Sequence, residues 1–298
     1  MRVTFGTGYD LAMADVEQAA TEMIRRQREV STGIRVNTPS DDPSSAASAI
    51  RRRGEIAALD QYEKSADWAT ARGTVIDTVL SDMVNQLTSV RSTGASAVGS
   101  IQSDTQREAT AKQLEALRDS LLSAVNTSFG GTYLFAGSAS LDPPYTKDAS
   151  GHVTAYAGDS QPLSVDIDRN RSAQITYDGS AVMQGTAGQD LFQTLQSLID
   201  AVRANDQAGI TAGLDEVAVA FDHVISVQSG VGADMVALEN QTARIGDMRR
   251  ANQVALSSDE DANMVESATK LSQANNVYQA ALHALATRSQ LSLLDYLE

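Results

Sequence analysis

The 298-residue chain carries a formal net charge of −15, has no cysteine, and contains only 5% aromatic residues. The surplus of acids excludes nucleic acid and anionic membrane surfaces as expected partners, because both are bound through Lys and Arg. Without cysteine there are no disulfides, thiolate nucleophiles or cysteine-ligated metals. The sequence shows neither a run of about 18 apolar residues nor a cleaved Sec signal, so any secretion would need a route that reads no such signal.

The strongest pattern is a seven-residue repeat of apolar positions, which is typical of helices that pack along one narrow seam. At the N-terminal end, the predicted seam consists of Val16, Ala20, Met23, Val30 and Ile34. At the C-terminal end, it consists of Met264, Ala268, Leu271, Asn275, Tyr278, Leu282, Leu285, Leu291 and Leu294. No charged side chain occurs between Leu271 and Thr287 if His283 is neutral. Two interpretations stay open: a buried helix of a monomeric bundle, or terminal helices that pair with each other and with further copies.

Helix breaks mark the ends of these segments. Gly33 can take the left-handed conformation that ends the first helix, and Pro39 requires an extended turn. Asp42 is a candidate helix cap, and Pro43 suits the first position of a second helix that we expect to reach about residue 99. A third helix is expected after the capping box formed by Ser103 and Gln106, before the glycine pair 130–131.

Residues 131–188 differ from the rest, because Gly, Ser, Asp and Pro are dense there. Short candidate strands at 133–136, 153–156, 163–167 and 173–177 predict a small β-rich domain inserted into a helical rod. Helix resumes near residue 189, and the apolar repeat that starts at residue 210 loses its phase at 257–261. We therefore expect a nested order: terminal helices at 1–41 and 259–298 that pair, rod segments at 42–130 and 189–258, and the insertion.

No constellation of residues predicts catalysis, a cofactor or a metal. The three histidines, His152, His223 and His283, lie far apart in sequence, and no phosphate-binding loop or nucleophile elbow occurs. The acids at 259–261 lack the alternation of a calcium loop and are better explained by capping. The arginines at 51–53 are expected to pair with neighbouring acids such as Glu55. The chain is therefore predicted not to be an enzyme.

Three passages resemble one family. They are 30–43 (VSTGIRVNTPSDDP), 290–297 (QLSLLDYL) and 133–137 (YLFAG). They are similar to the flagellin superfamily and, more narrowly, to the flagellar hook-associated proteins that join hook to filament. The motif residues that carry the resemblance are Gly33, Asn37, Pro39, Asp41, Asp42 and Pro43.

This resemblance implies a mainly α, elongated coiled-coil rod with a small β-rich insertion, whose paired termini form an axial coiled coil and are disordered in the free subunit. It implies export through the flagellar type III channel with a chaperone, and a place in the extracellular flagellum. The implied partners are copies of the chain in a ring or short helical stack, a hook-associated protein on the hook side, and flagellin on the filament side. A short flagellin is the alternative, and a chemoreceptor-like signalling helix is a candidate from another class.

Overall fold

The computed structural model describes residues 5–99, 103–183 and 190–297, with side chains described from residue 8 to residue 287 within these ranges. The helices and strands, in chain order, are α1 (Phe5–Thr32), α2 (Pro43–Ala95), α3 (Asp104–Val125), β1 (Ser128–Phe129), β2 (Thr132–Tyr133), β3 (Ser164–Asp168), β4 (Arg171–Gln174), α4 (Gly179–Val182), α5 (Leu191–Ala204), α6 (Gln207–Glu260) and α7 (Met264–Leu297). The mainly helical fold with a small β part is confirmed. None of the described helices has an apolar stretch long enough to cross a membrane.

The chain divides into two compact units. Unit 1 takes in the described parts of Met1–Ala58 and Met248–Glu298, and unit 2 is Leu59–Asp247. The two longest helices, α2 and α6, each contribute to both units.

The predicted helix boundaries are largely confirmed. Gly33 has a φ of 71°, so it ends α1 in the left-handed region that suits glycine. α2 begins at Pro43, as predicted, but ends at Ala95, four residues early. Ser103 and Gln106 form the predicted capping box of α3, and α3 itself ends at Val125, before the glycine pair.

Unit 2 has a continuous apolar core. Residues of α2, α3, α5 and α6 line it, among them Leu80, Leu121, Leu198 and Val217, and all four are buried. Apolar side chains of this size at a helical repeat give each helix one buried stripe, and four such stripes enclose a core. Burial of each side chain of this kind contributes about 1.5–3 kcal/mol.

The described part of the insertion packs on the helices in two places: one part joins this core, and the β3–β4 part, with Ile167, Ala173 and Ile175, forms a second cluster with Ala66, Ala69 and Leu238. Leu134, Phe135 and Tyr145 are fully buried among the helix residues. Two of the four predicted strands are confirmed within two or three residues as the antiparallel pair β3–β4. The predicted strand at 133–136 shrinks to its first residue in β2, and 153–156 forms no strand apart from one bridge between Val153 and Lys147. Aromatic and β-branched residues there face the core from irregular backbone.

One buried cation fastens the insertion to α2. The guanidinium of Arg72 donates to the carbonyl oxygens of Ile175, Phe129 and Tyr133, the last two at 3.1 and 3.0 Å, and to the hydroxyl of Thr132 at 2.8 Å. Arg72 is fully buried, and this burial lowers its pKa. Carbonyls that would otherwise lack donors are thereby satisfied.

Candidate assembly site

Within unit 1, α1 packs along α7, and the two helices run antiparallel. At the end of α1, the carbonyl of Gly33 accepts a hydrogen bond from the N–H of Ala262, at 2.8 Å. One turn earlier in α1, Glu29 meets Ser267 in the first turn of α7. As α1 is followed backwards, its partner residues therefore advance along α7. The pairing of the two chain ends was predicted from their apolar repeats.

Small and polar residues occupy the centre of this contact. Ala19 of α1 and Ala274 of α7 are buried. Glu29 is only 5% exposed and Ser267 only 2% exposed. The predicted seam residues that are half-buried on these two helices are Val16, Ala20, Met23, Val30, Leu271, Tyr278 and Leu285. Small side chains at the centre allow two helices to approach closely.

The C-terminal seam differs from the predicted one by a rotation of the helix. The positions turned towards α1 are Ser267, Leu271, Ala274, Tyr278, Ala281 and Leu285. The predicted positions Met264, Ala268, Asn275 and Leu282 are exposed instead. The sequence pattern gave weight to large apolar residues, whereas the structure turns the serine and alanines inward. Leu291 and Leu294 belong to α7, but their side chains lie outside the described residues.

A second set of apolar side chains on these helices remains exposed. Val265 is 80% exposed and Val277 59% exposed on α7. Leu11 and Ile24 on α1 are more than half exposed. Large apolar side chains scattered singly are normal on a protein surface, and each of these four is available for contact with a partner.

Glu29 is the charged group at the centre of the helix pair. Its carboxylate accepts hydrogen bonds from the hydroxyl of Ser267 and from the guanidinium of Arg26, both at 2.8 Å. Burial alone would raise the pKa of Glu29, but these two hydrogen bonds and the charges of Arg26 and Lys270 outweigh it and lower the pKa. Sequence reasoning missed this pair, because a Glu and a Ser far apart in sequence give no apolar signal.

Next to the helix pair, residues 33–46 and 257–263 form what we call the clasp. Ile34 and Asp261 form an antiparallel bridge, and the N–H of Arg35 donates to the carbonyl of Glu260 at 2.6 Å. The guanidinium of Arg35 donates to the carbonyl of Asp259 at 2.9 Å. The clasp thus joins the segment after α1 to the segment before α7. The loss of helical phase predicted at 257–261 coincides with the end of α6 at Glu260.

Asn37, Pro39 and Asp41 shape the turn inside the clasp. The carboxylate of Asp41 accepts hydrogen bonds from the N–H groups of Asn37 and Thr38, at 3.1 and 2.8 Å. Burial opposes ionisation of Asp41, but the hydrogen bonds from Thr38, the charge of Arg25 and the bond from Asn37 lower its pKa. Pro39 is exposed within the turn. These motif residues therefore fix the chain direction between α1 and α2.

Asp42 and Pro43 start α2 as predicted. The carboxylate of Asp42 accepts hydrogen bonds from the side chain and N–H of Ser45, at 2.7 and 3.1 Å, and from Ser44. Together with a bond from Arg35, at 3.2 Å, these contacts hold the pKa of Asp42 well below its usual range. An aspartate that accepts the free N–H groups of a first helical turn is a standard N-cap.

Two of the three arginines at 51–53 pair with acids, but neither pairs with Glu55, the acid that the sequence predicted. Arg52 contacts Asp259 at 2.9 Å, and Arg53 contacts Glu260 at 2.7 Å. The prediction of Glu55 as their partner was wrong, because the acids come from the end of α6, more than two hundred residues away in sequence. The acid cluster at 259–261 therefore belongs to the clasp.

No metal site forms among the described residues. They hold no group of three or more His, Asp or Glu side chains placed to bind a metal ion. His223 contacts the carbonyl of Ala181 at 2.6 Å, while His152 and His283 are exposed. The site consists of the exposed surface of the α1–α7 pair and of the hydrogen bonds, at Glu29 and in the clasp, that position these helices.

Comparison with known proteins agrees with this picture. The family model for the bacterial flagellin N-terminal helical region matches residues 9–140. Flagellar hook-associated protein 3 of Escherichia coli is 26% identical, over 80% of this chain and 82% of its own length. Flagellin B of Helicobacter pylori is 24% identical, over 67% of this chain and 41% of its own length.

A solved structure shares the fold. The flagellar junction protein FlgL from Legionella pneumophila superposes with a TM-score of 0.58 at 18% identity, covering 72% of this chain and 99% of that one. The chain is therefore similar in sequence to the bacterial flagellin N-terminal helical region and to flagellar hook-associated protein 3, and similar in fold to a flagellar junction protein.

Proposed function

We propose that this protein is a structural subunit of the bacterial flagellum that forms the junction between hook and filament and is needed for filament attachment and swimming. The observation that carries the proposal is the α1–α7 pair, which leaves Val265, Val277 and other large apolar side chains exposed. The names of the hook-associated relative and of the structural neighbour point to the same role.

The partners in this proposal are copies of the chain in a ring or short helical stack, a hook-associated protein on the hook side, and flagellin on the filament side. A flagellar export chaperone would accompany the chain to the type III export channel. The protein would then act outside the cell. The clasp supports the proposal by fixing how the helix pair begins, so that each copy presents the same surface.

The exposed apolar residues supply the driving force for assembly. Val277 and Leu282 are 59% and 40% exposed, so burial of the remaining surface against a neighbouring copy contributes about 1 kcal/mol each. This gain arises only when a partner subunit arrives. A net charge of −15 opposes contact between free copies. Association would therefore be delayed until the subunits reach the growing end of the flagellum.

A matched pair of charge substitutions tests the proposal in cells that lack the wild-type gene. Val277→Asp places a carboxylate on α7, where the wild-type side chain is 59% exposed. Val236→Asp makes the same change on α6 in unit 2, at a side chain that is 57% exposed. We expect Val277→Asp to abolish filament attachment and swimming, because burying an unpaired charge opposes association, and Val236→Asp to preserve both.

Electron microscopy and swimming assays provide the readout, and circular dichroism of the purified variants shows whether each is folded. The strain without the protein should carry hooks that lack filaments. Removal of residues 291–298 should likewise abolish incorporation while the helix content of the rod stays near normal. Swimming at wild-type speed by the Val277→Asp strain or by this truncated strain would refute the junction role.

A short flagellin is the second candidate, and the similarity to flagellin B favours keeping it. A flagellin polymerises into long filaments on its own, whereas a junction subunit forms only a short ring-like stack. Negative-stain images of the concentrated purified chain separate the two functions.

A further inference from the structure

A groove between α5 and the start of α6 in unit 2 carries only negative charge. Its volume is about 720 Å³, and Asp200, Asp206 and Glu216 line it, with no lysine or arginine among the described lining residues. Much of the remaining lining is small, as at Ala204 and Ala212, which are exposed. The groove therefore has room for a long side chain and a charge that favours a cation.

Thr194 is the most deeply buried polar residue of this groove. It is 7% exposed, and its hydroxyl oxygen has no hydrogen-bond partner among the described residues. A buried polar atom without a partner destabilises a protein unless a ligand or a water molecule satisfies it. Of the cationic side chains, arginine is long and offers the most N–H donors. The groove is therefore suited to an arginine that enters it from outside.

Two arginines of unit 2 are exposed at the tip of the β3–β4 hairpin. Arg169 lies between the two strands, and Arg171 is the first residue of β4. Neither guanidinium has a hydrogen-bond or ion-pair partner among the described residues. The carboxylate of Asp168, next to them, accepts from the side chain of Gln241, at 3.1 Å, and from the backbone N–H of Arg169, at 2.7 Å. The hairpin tip therefore presents two guanidinium groups that are free to bind carboxylates.

The hairpin and the groove lie at different levels of α6. The side chain of Gln241 in α6 donates to the carbonyl of Ile167 in β3, at 3.4 Å, so the hairpin lies beside this part of the helix. The last residue of α6 that lines the groove is Glu216. At a rise of about 1.5 Å per residue, the distance along α6 from Glu216 to Gln241 is about 38 Å. An arginine side chain is far shorter, so the groove cannot receive the hairpin of its own chain.

We infer that the hairpin tip of one copy inserts into the acidic groove of a second copy, where Arg169 and Arg171 meet Asp200 and the other two carboxylates. Two different surfaces meet in this contact, so it repeats from copy to copy and produces a ring or a helical stack. Both surfaces belong to unit 2, which forms its core from its own residues. The inference rests on the proposed function, because it names one of the contacts between copies that the junction requires.

Since the chain has no cysteine, introduced cysteines can report this contact. Asn170→Cys at the hairpin tip is combined with Ala204→Cys in the groove, and both positions are exposed. Flagella are isolated from cells in which this full-length variant replaces the wild type, and a bismaleimide bridges nearby thiols. We expect a ladder of dimers, trimers and larger species, because each copy carries both halves of the contact. Asn170→Cys with Ser89→Cys, an exposed serine of α2, is the matched control and should stay monomeric.

A charge substitution in the groove tests whether the carboxylates hold the hairpin. The Asp200 carboxylate accepts from Gln196 of its own helix, at 3.1 Å, and is exposed, so Asp200→Arg leaves the core intact. Added to the double-cysteine variant, it should lower the cross-linking yield per incorporated copy by about tenfold or more, because like charges then face each other. Asp222→Arg makes the same change at an exposed position of α6 outside the groove and should leave the yield unchanged. Loss of incorporation with Asp200→Arg alone supports the contact equally.

Three results would overturn the contact. They are a double-cysteine variant that stays monomeric in flagella containing it, equal cross-linking by the Ser89→Cys control, and equal yields with Asp200→Arg and Asp222→Arg. Mass spectrometry of the cross-linked bands identifies their contents, and a different protein joined to Ala204→Cys would also overturn the self-contact. Failure of the proposed function has another signature, since cells that lack this protein would then still attach filaments.

Discussion

Units 1 and 2 use their apolar residues in opposite ways. In unit 2, large side chains such as Ile76, Leu87 and Phe192 are buried in one core. In the described part of unit 1, the buried positions include Ala19, Ala274 and Ser267, and several large apolar side chains are exposed. Unit 2 therefore has what it needs to fold alone, whereas unit 1 keeps apolar surface that only association can bury.

The largest expected effect is the destabilisation of unit 2 by removal of its buried cation, Arg72. Arg72→Met removes the guanidinium donor from the carbonyls of Tyr133 and Ile175, whereas the carbonyl of Phe129 keeps the hydroxyl of Thr132 at 3.2 Å. Since each unsatisfied buried group costs about 1–3 kcal/mol, we expect the free energy of unfolding of unit 2 to fall by at least about 2 kcal/mol. Urea unfolding followed by circular dichroism measures this loss.

Arg91→Met is the control for that substitution. Arg72 lies over the ring of Trp68 at 5.6 Å, and Arg91 lies over the ring of Phe221 at 5.4 Å, but Arg91 is exposed. Its loss should cost less than about 1 kcal/mol, which is typical of an exposed cation–π contact. If Arg72→Met were as mild as Arg91→Met, the insertion would not depend on this fastening.

In acid, unit 1 should unfold before unit 2, because unit 1 is stabilised by ionised carboxylates with lowered pKa values. Hydrogen bonds lower the pKa of Glu29, Asp41 and Asp42 below their ordinary values, which are 4.5 for Glu and 3.8 for Asp. A carboxylate with a lowered folded-state pKa contributes stability above its ordinary pKa and loses it as the pH falls towards the folded value. Unit 1 should therefore lose its helix pair progressively below about pH 4.

Unit 2 contains carboxyl groups of both kinds: the pKa values of Asp119 and Asp159 are also lowered, whereas Asp190 responds in the opposite direction. Burial raises its pKa, so its protonation in mild acid favours the folded state. The single tryptophan, Trp68, lies in unit 2 and reports on that unit alone. In an acid titration, we expect circular dichroism to fall before Trp68 fluorescence changes. Coincident transitions would show that the units do not differ in acid stability.

The sequence predicted those features that depend on local chemistry or on long apolar repeats. Gly33, Asp42 and Pro43 end and start helices through their own backbone preferences, so α1 and α2 were found without tertiary information. The pairing of the two chain ends followed from the repeats. The side of α7 that faces α1 did not follow from them, because the contacts made there, such as the hydrogen bond from Ser267 to Glu29, join residues 238 positions apart in sequence.

The partners of the arginine run were missed for the same reason. A helix places Glu55 within reach of its own arginines, so local reasoning favours it. The structure instead brings the end of α6 beside Arg52 and Arg53. Contacts between residues far apart in sequence carry no local signal, and the clasp consists largely of such contacts.

The prediction with the smallest expected effect concerns the contact between the arginine run at 51–53 and the clasp. Arg53→Ala removes the partner of Glu260, a residue whose carbonyl also accepts the N–H of Arg35 at 2.6 Å. We expect a loss of about 1 kcal/mol, since the pair is partly exposed, and therefore about fivefold faster hydrogen exchange at the Arg35 amide. Arg51→Ala is the matched control, because Arg51 lies in the same run and donates to its helix neighbour Ser48, at 3.2 Å, rather than to the end of α6. It should leave that amide unchanged. Equal acceleration in both variants would mean that loss of positive charge, rather than loss of the bond to Glu260, loosens the clasp.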